Sequence, residues 1–213
     1  MGACVIFCAA EFDRLARPIG PDDFVIAADG GWRHTQALGL APDAVLGDFD
    51  SLGFIPENAR VFPVEKDDTD AMLAIRLGLS HNFREFILYG GMDGPRIDHT
   101  VANFQALQFL RDRDAAGYLV GLHTMATVIS GETLEFSGAM PGTVSVFCMG
   151  PDAHGVTLEG LKYPLQNGSL TAGFPLGVSN HFAGQNARIS VRQGSLLVLW
   201  DREKGFPRRI SLR

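Results

Sequence analysis

Apolar positions in the first half of the chain fall into short unbroken runs, each ending at glycine or aspartate. "ACVIFCAA" predicts one buried strand and "FVIAADGG" a second that closes on two glycines. A short helix, "WRHTQALGL", follows, then "AVLGDFDS", the strand-like "ARVFPVE" and a helix from about Thr69 to Leu79. "EFILYGG" predicts a further strand. The longest helix runs from about Asp98 to Arg111, with Val101, Phe104 and Leu107 at a helical interval. Strands and helices alternating in this way predict an α/β domain built on a mostly parallel sheet.

After about residue 114 the period changes. "YLVGLH", "ATVISG", "ETLEFSG", "TVSVFCMG", "GVTLEGLKY", "ARISVRQG" and "SLLVLWD" are short strands divided by Gly, Pro, Asn and Ser. That rhythm predicts an antiparallel β-sandwich. The expected division is therefore an α/β domain over residues 1–114 and a β-sandwich domain over 115–213, with the boundary in "RDRDAAG".

Composition narrows the class. A 213-residue chain with 46% hydrophobic and 20% charged residues has the make-up of a globular protein. No apolar run approaches the length of a membrane span. Three cysteines are too few, and odd in number, for a disulfide framework, and Cys4 and Cys8 lie about 13 Å apart along an extended strand. The N-terminal segment lacks a basic leader, so the expected location is cytoplasmic. Charge is uneven: residues 1–100 hold 16 Asp/Glu against 8 Lys/Arg, whereas residues 101–213 hold 8 against 10. An acidic first half is a poor nucleic-acid surface and suits a partner that brings its own cations. The basic tail "REKGFPRR" has no aromatic platform for nucleic acid and reads as a solvated end.

Four acidic motifs sit where strands give way to loops or helices: "ADGG" (Asp29), "GDFDS" (Asp48, Asp50), "KDDTD" (Asp67, Asp68, Asp70) and "GPRIDH" (Asp98). In an open parallel sheet, the carboxyl ends of the strands form the ligand crevice, so these carboxylates converge there. Asp48 and Asp50 in extended chain point the same way, roughly 6–7 Å apart, and repel unless a cation joins them. Single members have a plainer role open to them: Asp68 or Thr69 can cap the helix that begins near Asp70, and Asp98 can cap the next. Capping accounts neither for three carboxylates in four residues nor for the Asp48–Asp50 pair. Hard oxygen ligands in this number point to Mg²⁺ shared with phosphate groups. Gly30–Gly31 and Gly90–Gly91 let a phosphate or sugar approach the backbone, or else form tight turns. Arg96 either holds a polyphosphate or pairs with Asp98, and His99 and Asn103 organise the loop. No zinc spacing, P-loop or nucleophile elbow is present.

Taken in order, the four motifs resemble the signature of the thiamin pyrophosphokinase (thiamin diphosphokinase) family, and "GLKYPL" followed by "GVSN" resembles its thiamin-binding domain. The resemblance runs from about residue 24 to the end of the chain. It implies Mg²⁺-dependent transfer of diphosphate from ATP to the hydroxyl of thiamin, giving thiamin diphosphate and AMP, by a homodimer with thiamin in a cleft between subunits. By position it implies Asp48, Asp50, Asp67 and Asp70 as catalytic carboxylates, with Asp48, Asp50 and Asp70 on the metal. Asp29, Gly30, Gly31, Ser51, Thr69, Arg96 and Asp98 border the nucleotide in that scheme, and Ser179 and Asn180 line the thiamin pocket. Asp70 and Asp50 both remain candidates for the general base. The chain departs from the family pattern at Trp32–Arg33, where Ala–Asn is frequent, at Pro95, where glycine is usual, and in lacking a Lys after Thr69–Asp70. Two other readings use the same residues: a non-catalytic nucleotide–metal binding module, and a Mg²⁺-dependent phosphatase with Asp48 as nucleophile.

Overall fold

The computed structural model describes residues 2–63, 67–138 and 141–212. Lys66 of the "KDDTD" motif and the end of "ARVFPVE" lie outside the described residues. The chain divides into two units, Met1–Leu122 and His123–Arg213.

The first unit is a parallel sheet in the order β6-β5-β1-β2-β3-β4. Its strands are β1 (Cys4–Phe7), β2 (Phe24–Ala28), β3 (Ala44–Gly47), β4 (Arg60–Val61), β5 (Glu85–Tyr89) and β6 (Ala116–Val120). The continuous apolar runs have their cause here: all four residues of β1 and the last four of β5 are buried, as befits strands covered on both faces. The chain steps outward from β1 to β4, then returns to lay β5 on the other side of β1. The gap between the carboxyl ends of β1 and β5 is thus the switch point where open sheets bind ligands.

Helices α1 (Trp32–Ala37), α2 (Asp70–Ser80) and α3 (Ile97–Arg111) complete this unit. The α2 and α3 bounds agree with the hydrophobic pattern to one residue, but the buried stripe of α3 does not. Asn103, Ala106, Leu107 and Leu110 face inward, while Val101 is exposed. Spacing of i, i+3, i+4 and i+7 carries the true stripe, with a polar residue at its head. β6, which the change of period groups with the second half, pairs parallel to β5 after the α3 crossover. The division therefore falls after Leu122 rather than at residue 114.

The second unit is antiparallel: β7 (Thr124–Ile129), β8 (Glu132–Phe136), β9 (Thr143–Glu159), β10 (Leu165–Leu170), β11 (Gly177–His181), β12 (Ala187–Val191), β13 (Gln193–Asp201) and β14 (Arg208–Ser211). Together with the parallel unit it forms an α/β protein with a β-sandwich domain. β9 is one strand of 17 residues, where the pattern suggested two. Its first half pairs with β11 and β13, its second with β10 and β12. Gly150 and Gly155, both at positive φ, lie in the stretch between the two halves' main pairings. Phe136 packs edge-on against Trp200 at 5.4 Å and against Phe182 at 5.1 Å, forming the aromatic centre of this unit.

The tail is not a solvated end. Arg202 is buried, Lys204 lies 4.2 Å from the centre of the Phe182 ring, and Arg209 donates to Glu132 at 2.6 Å while β14 pairs with β8. Its cations neutralise neighbours within the fold.

Candidate active site

The parallel register of β2 and β3 places Ala28 beside Leu46, so the next residues, Asp29 just past β2 and Gly47 at the end of β3, are neighbours. Gly47 has φ 152°, and a Cβ on it would lie 3.0 Å from Cα of Asp29, so both conformation and space favour glycine there. Asp29 itself takes a left-handed conformation, φ 46°, at the start of a single 3₁₀ turn over Asp29–Gly31. Its Oδ1 is buried and has no hydrogen-bond partner among the described residues.

Asp48 and Asp50 do not sit on extended chain. β3 ends at Gly47, and Phe49 is left-handed with φ 60° and only 3% exposed. Its ring belongs to a cluster with Ala27, Val45 and Leu52, against which Trp32 packs. The inward turn of Phe49 leaves the two flanking carboxylates at the surface, joined by a bond from the Asp50 amide to Oδ1 of Asp48 at 3.3 Å. One oxygen from each of Asp29, Asp48 and Asp50 lies within 4.8 Å of the others.

This triad opens into a cavity of about 640 Å³, whose wall also includes Ser51, Asp67, Asp68, Thr69 and Asp70. Thr69 is the helix cap, accepting from the Met72 amide at 3.2 Å. Asp68 turns to Arg76 at 2.8 Å. Asp70 occupies the first position of α2, where the positive helix end favours an ionised carboxylate. The β5–α3 loop contributes Arg96, and the first turn of α3 contributes His99 and Thr100. Arg96 pairs with Asp98 at 2.6 Å, and the guanidinium hydrogen bond holds that carboxyl below the usual range. Asp98 is not among the residues lining the cavity and does not cap α3, whose N-cap is Arg96.

The glycines have a different use from the one their pairing suggested. A Cβ on Gly31 would lie 1.9 Å from the Phe7 carbonyl, and one on Gly30 would lie 2.8 Å from Cβ of Ala9. Both pack the turn onto the end of β1 and neither lines the cavity. Gly90 and Gly91 do line it, with Gly90 at φ 64° over the Cys8 carbonyl. The Gly91 carbonyl accepts from the buried Asn103 amide at 2.7 Å, which fixes the loop to α3. The floor of small residues at Cys8, Ala9 and Ala10 went unread in the sequence; "CAA" after the β1 run was its signal. Burial, with Asp70 adding to it, pushes the Cys8 thiol up to about 12, so it acts as a packing group.

Ser179 and Asn180 belong to β11 of the second unit. Asn180 is buried, and its side chain accepts from the Tyr163 amide at 3.0 Å and donates to the Tyr163 carbonyl at 2.7 Å. Ser179 is exposed and left-handed at φ 56°. Tyr163 and Val178 beside them are exposed apolar residues.

The donor set of the triad fits a hard divalent cation. Three carboxylates this close repel one another, and a buried oxygen without a hydrogen bond is costly unless a cation completes it. Asp70 shares the cavity but is not a member of the triad, whereas Asp29 is.

Two family models match the chain: thiamin pyrophosphokinase, catalytic domain, over residues 17–118, and thiamin pyrophosphokinase, vitamin B1 binding domain, over residues 133–196. Thiamine pyrophosphokinase of Bacillus subtilis is 28% identical over 186 residues, covering 82% of this chain and 85% of that protein. Among solved structures, thiamine pyrophosphokinase from Bacillus subtilis superposes with a TM-score of 0.79 at 23% identity, over 94% of this chain and 99% of that one. Thiamin pyrophosphokinase from Geobacillus thermodenitrificans gives a TM-score of 0.76 at 26% identity, over 94% and 97%.

Proposed function

The chain belongs to the thiamin pyrophosphokinase family, a family of diphosphotransferases, and on that premise we propose that its triad cavity transfers diphosphate from ATP to thiamin in the presence of Mg²⁺. The observation that carries this reading is the convergence of Asp29, Asp48 and Asp50 within 4.8 Å at the mouth of a cavity bordered by a helix N-terminus and Arg96. Mg²⁺ would be held by those three carboxylates, and when bound it offsets the charge of the transferring phosphates.

The chain's own residues then have distinct tasks. Arg96, in the cavity wall, exchanges its surface pairing with Asp98 for a phosphate oxygen. The α2 N-terminus, capped by Thr69, borders the same space with Asp70 and Ala71 and adds its positive helix end. Asp67 and Ser51 border the nucleotide. The thiamin hydroxyl oxygen bonds to the β-phosphorus, the bond from that phosphorus to the α-phosphate bridge breaks, and AMP departs. Asp70 accepts the hydroxyl proton, since it shares the cavity without belonging to the triad. Ser179 contacts thiamin directly, whereas Asn180 positions Tyr163. A homodimer and a cytoplasmic location complete the proposal; the free, buried Cys4 and Cys8 suit a reducing compartment, and among the described residues no helix is long and apolar enough to cross a membrane.

Incubation with ATP, Mg²⁺ and thiamin, with chromatographic separation of products, tests the reaction. AMP formed one-for-one with thiamin diphosphate is the expected result; ADP with thiamin monophosphate overturns diphosphate transfer. Asp48→Asn and Asp50→Asn should each abolish turnover with unchanged circular dichroism, and near-normal activity in both would overturn the site.

A further inference from the structure

Trp32 and Arg33 open α1 immediately after the turn that carries Asp29, and both reach the loop that carries Asp48 and Asp50. Nη2 of Arg33 donates to the Ser51 carbonyl at 3.0 Å. The Trp32 ring meets Phe54 edge-on at 5.2 Å and packs on the Phe49 cluster. Ser51 Oγ fills the space beside Gly30, 2.9 Å from where a Cβ would stand. One short stretch, residues 29–33, therefore holds the first carboxylate at one end and fastens the loop of the other two at its far end.

The need for such a fastening is electrostatic. Three carboxylates within 4.8 Å repel, and Asp50 and Ser51 are exposed, so repulsion favours swinging the loop outward. Phe49 anchors the loop before Asp50 and Leu52 returns to the same cluster after it, and between Asp50 and Leu52 the Ser51 carbonyl is held by Arg33. Neither Trp32 nor Arg33 lines the cavity, so both act through the loop.

We propose that Arg33, backed by Trp32, is a positioning residue that sets the affinity of the carboxylate triad for its divalent cation. This rests on the reading of the triad as a cation site. Holding Asp50 against the repulsion lowers the cost of assembling the ligands, so losing the hold weakens cation binding and leaves the chemistry of the loaded site alone.

The test is Mn²⁺ titration of the whole chain, without nucleotide or thiamin, followed by electron paramagnetic resonance, on the parent protein and on Arg33→Ala, Arg33→Lys and Asp48→Asn. Arg33→Ala should raise the Mn²⁺ dissociation constant about threefold, the scale of one lost charge-assisted hydrogen bond between exposed groups. Arg33→Lys, whose ammonium still donates to a carbonyl, should recover most of that loss. The Mg²⁺ needed for half-maximal turnover should rise in parallel, with turnover at saturating Mg²⁺ within about threefold. Unchanged Mn²⁺ affinity in Arg33→Ala, while Asp48→Asn loses binding, overturns the positioning role and spares the site. A loss that Arg33→Lys does not restore, tracking a fall in the metal-free melting temperature, also overturns it. Parent-like affinity in Asp48→Asn removes the cation site and the proposal with it.

Discussion

The backbone amide of Asp50 donates to Oδ1 of Asp48 at 3.3 Å, across a phenylalanine in left-handed conformation. The pair is thus assembled by a turn whose central side chain is drawn into the core, and burial of Phe49 supplies the free energy that offsets both backbone strain and charge repulsion.

Phe49→Ala should therefore damage stability and activity together. Removing a buried ring typically costs about 3 kcal/mol, and the carboxylates lose the anchor that orients them. Urea denaturation alongside Mg²⁺-dependent turnover checks this. Full activity in a destabilised Phe49→Ala protein would show that the triad holds its shape without the ring.

Gly31 separates packing from strain. A Cβ there meets the Phe7 carbonyl at 1.9 Å, so Gly31→Ala should displace the Asp29 turn and cost about 3 kcal/mol. Gly39→Ala, at φ 66° with open space around it, should cost only about 1 kcal/mol. Equal melting temperatures for the two variants would contradict the close approach of the turn to β1.

Asp23 carries a pH dependence. It accepts from Arg17 at 2.7 Å and from the amides of Ala3 and Gly20. Burial pushes its carboxyl up, but the Arg17 hydrogen bond and the two amides outweigh that and bring it down to about 2. The folded value lies below the unfolded one, so the stabilisation, about 2 kcal/mol, is complete above pH ~4 and disappears as pH falls through ~2. Asp23→Asn should lose that amount in chemical denaturation at pH 7 and converge with the parent protein near pH 2. A constant difference across that range would place the effect outside this carboxylate.

Local signals carried much of the fold. α2 was legible because Thr69 caps it and apolar residues recur along it, and β1, β2, β3 and β5 because buried parallel strands are written as continuous apolar runs. The pattern does not place β6 beside β5, because an apolar strand does not state whether its partner runs parallel. It reads β9 as two strands because Gly150, Pro151 and Gly155 are turn residues locally, while in the fold they lie inside one strand that changes partners. β10, "LQNGSL", is hidden for the same reason, its Asn-Gly being a hairpin signal. At the site, the acidic motifs were evident and their convergence followed from parallel topology. The place of Asp29 in the triad depends on the β2–β3 register, and the pairing of Asp98 with Arg96 on the loop's own conformation, neither of which spacing encodes.

β9 also has a bearing on how the chain matures. Its partners β10, β11, β12 and β13 all follow it, between Leu165 and Asp201. During synthesis the 17-residue strand emerges before any of them; β10 and β11 supply one edge by His181, whereas the edge that β12 and β13 cover stays open until Asp201 has left the ribosome. The parallel unit, complete at Leu122, has no such wait. The interval between the two is the period in which this protein is most exposed to strand-edge aggregation, and chaperone demand should peak there.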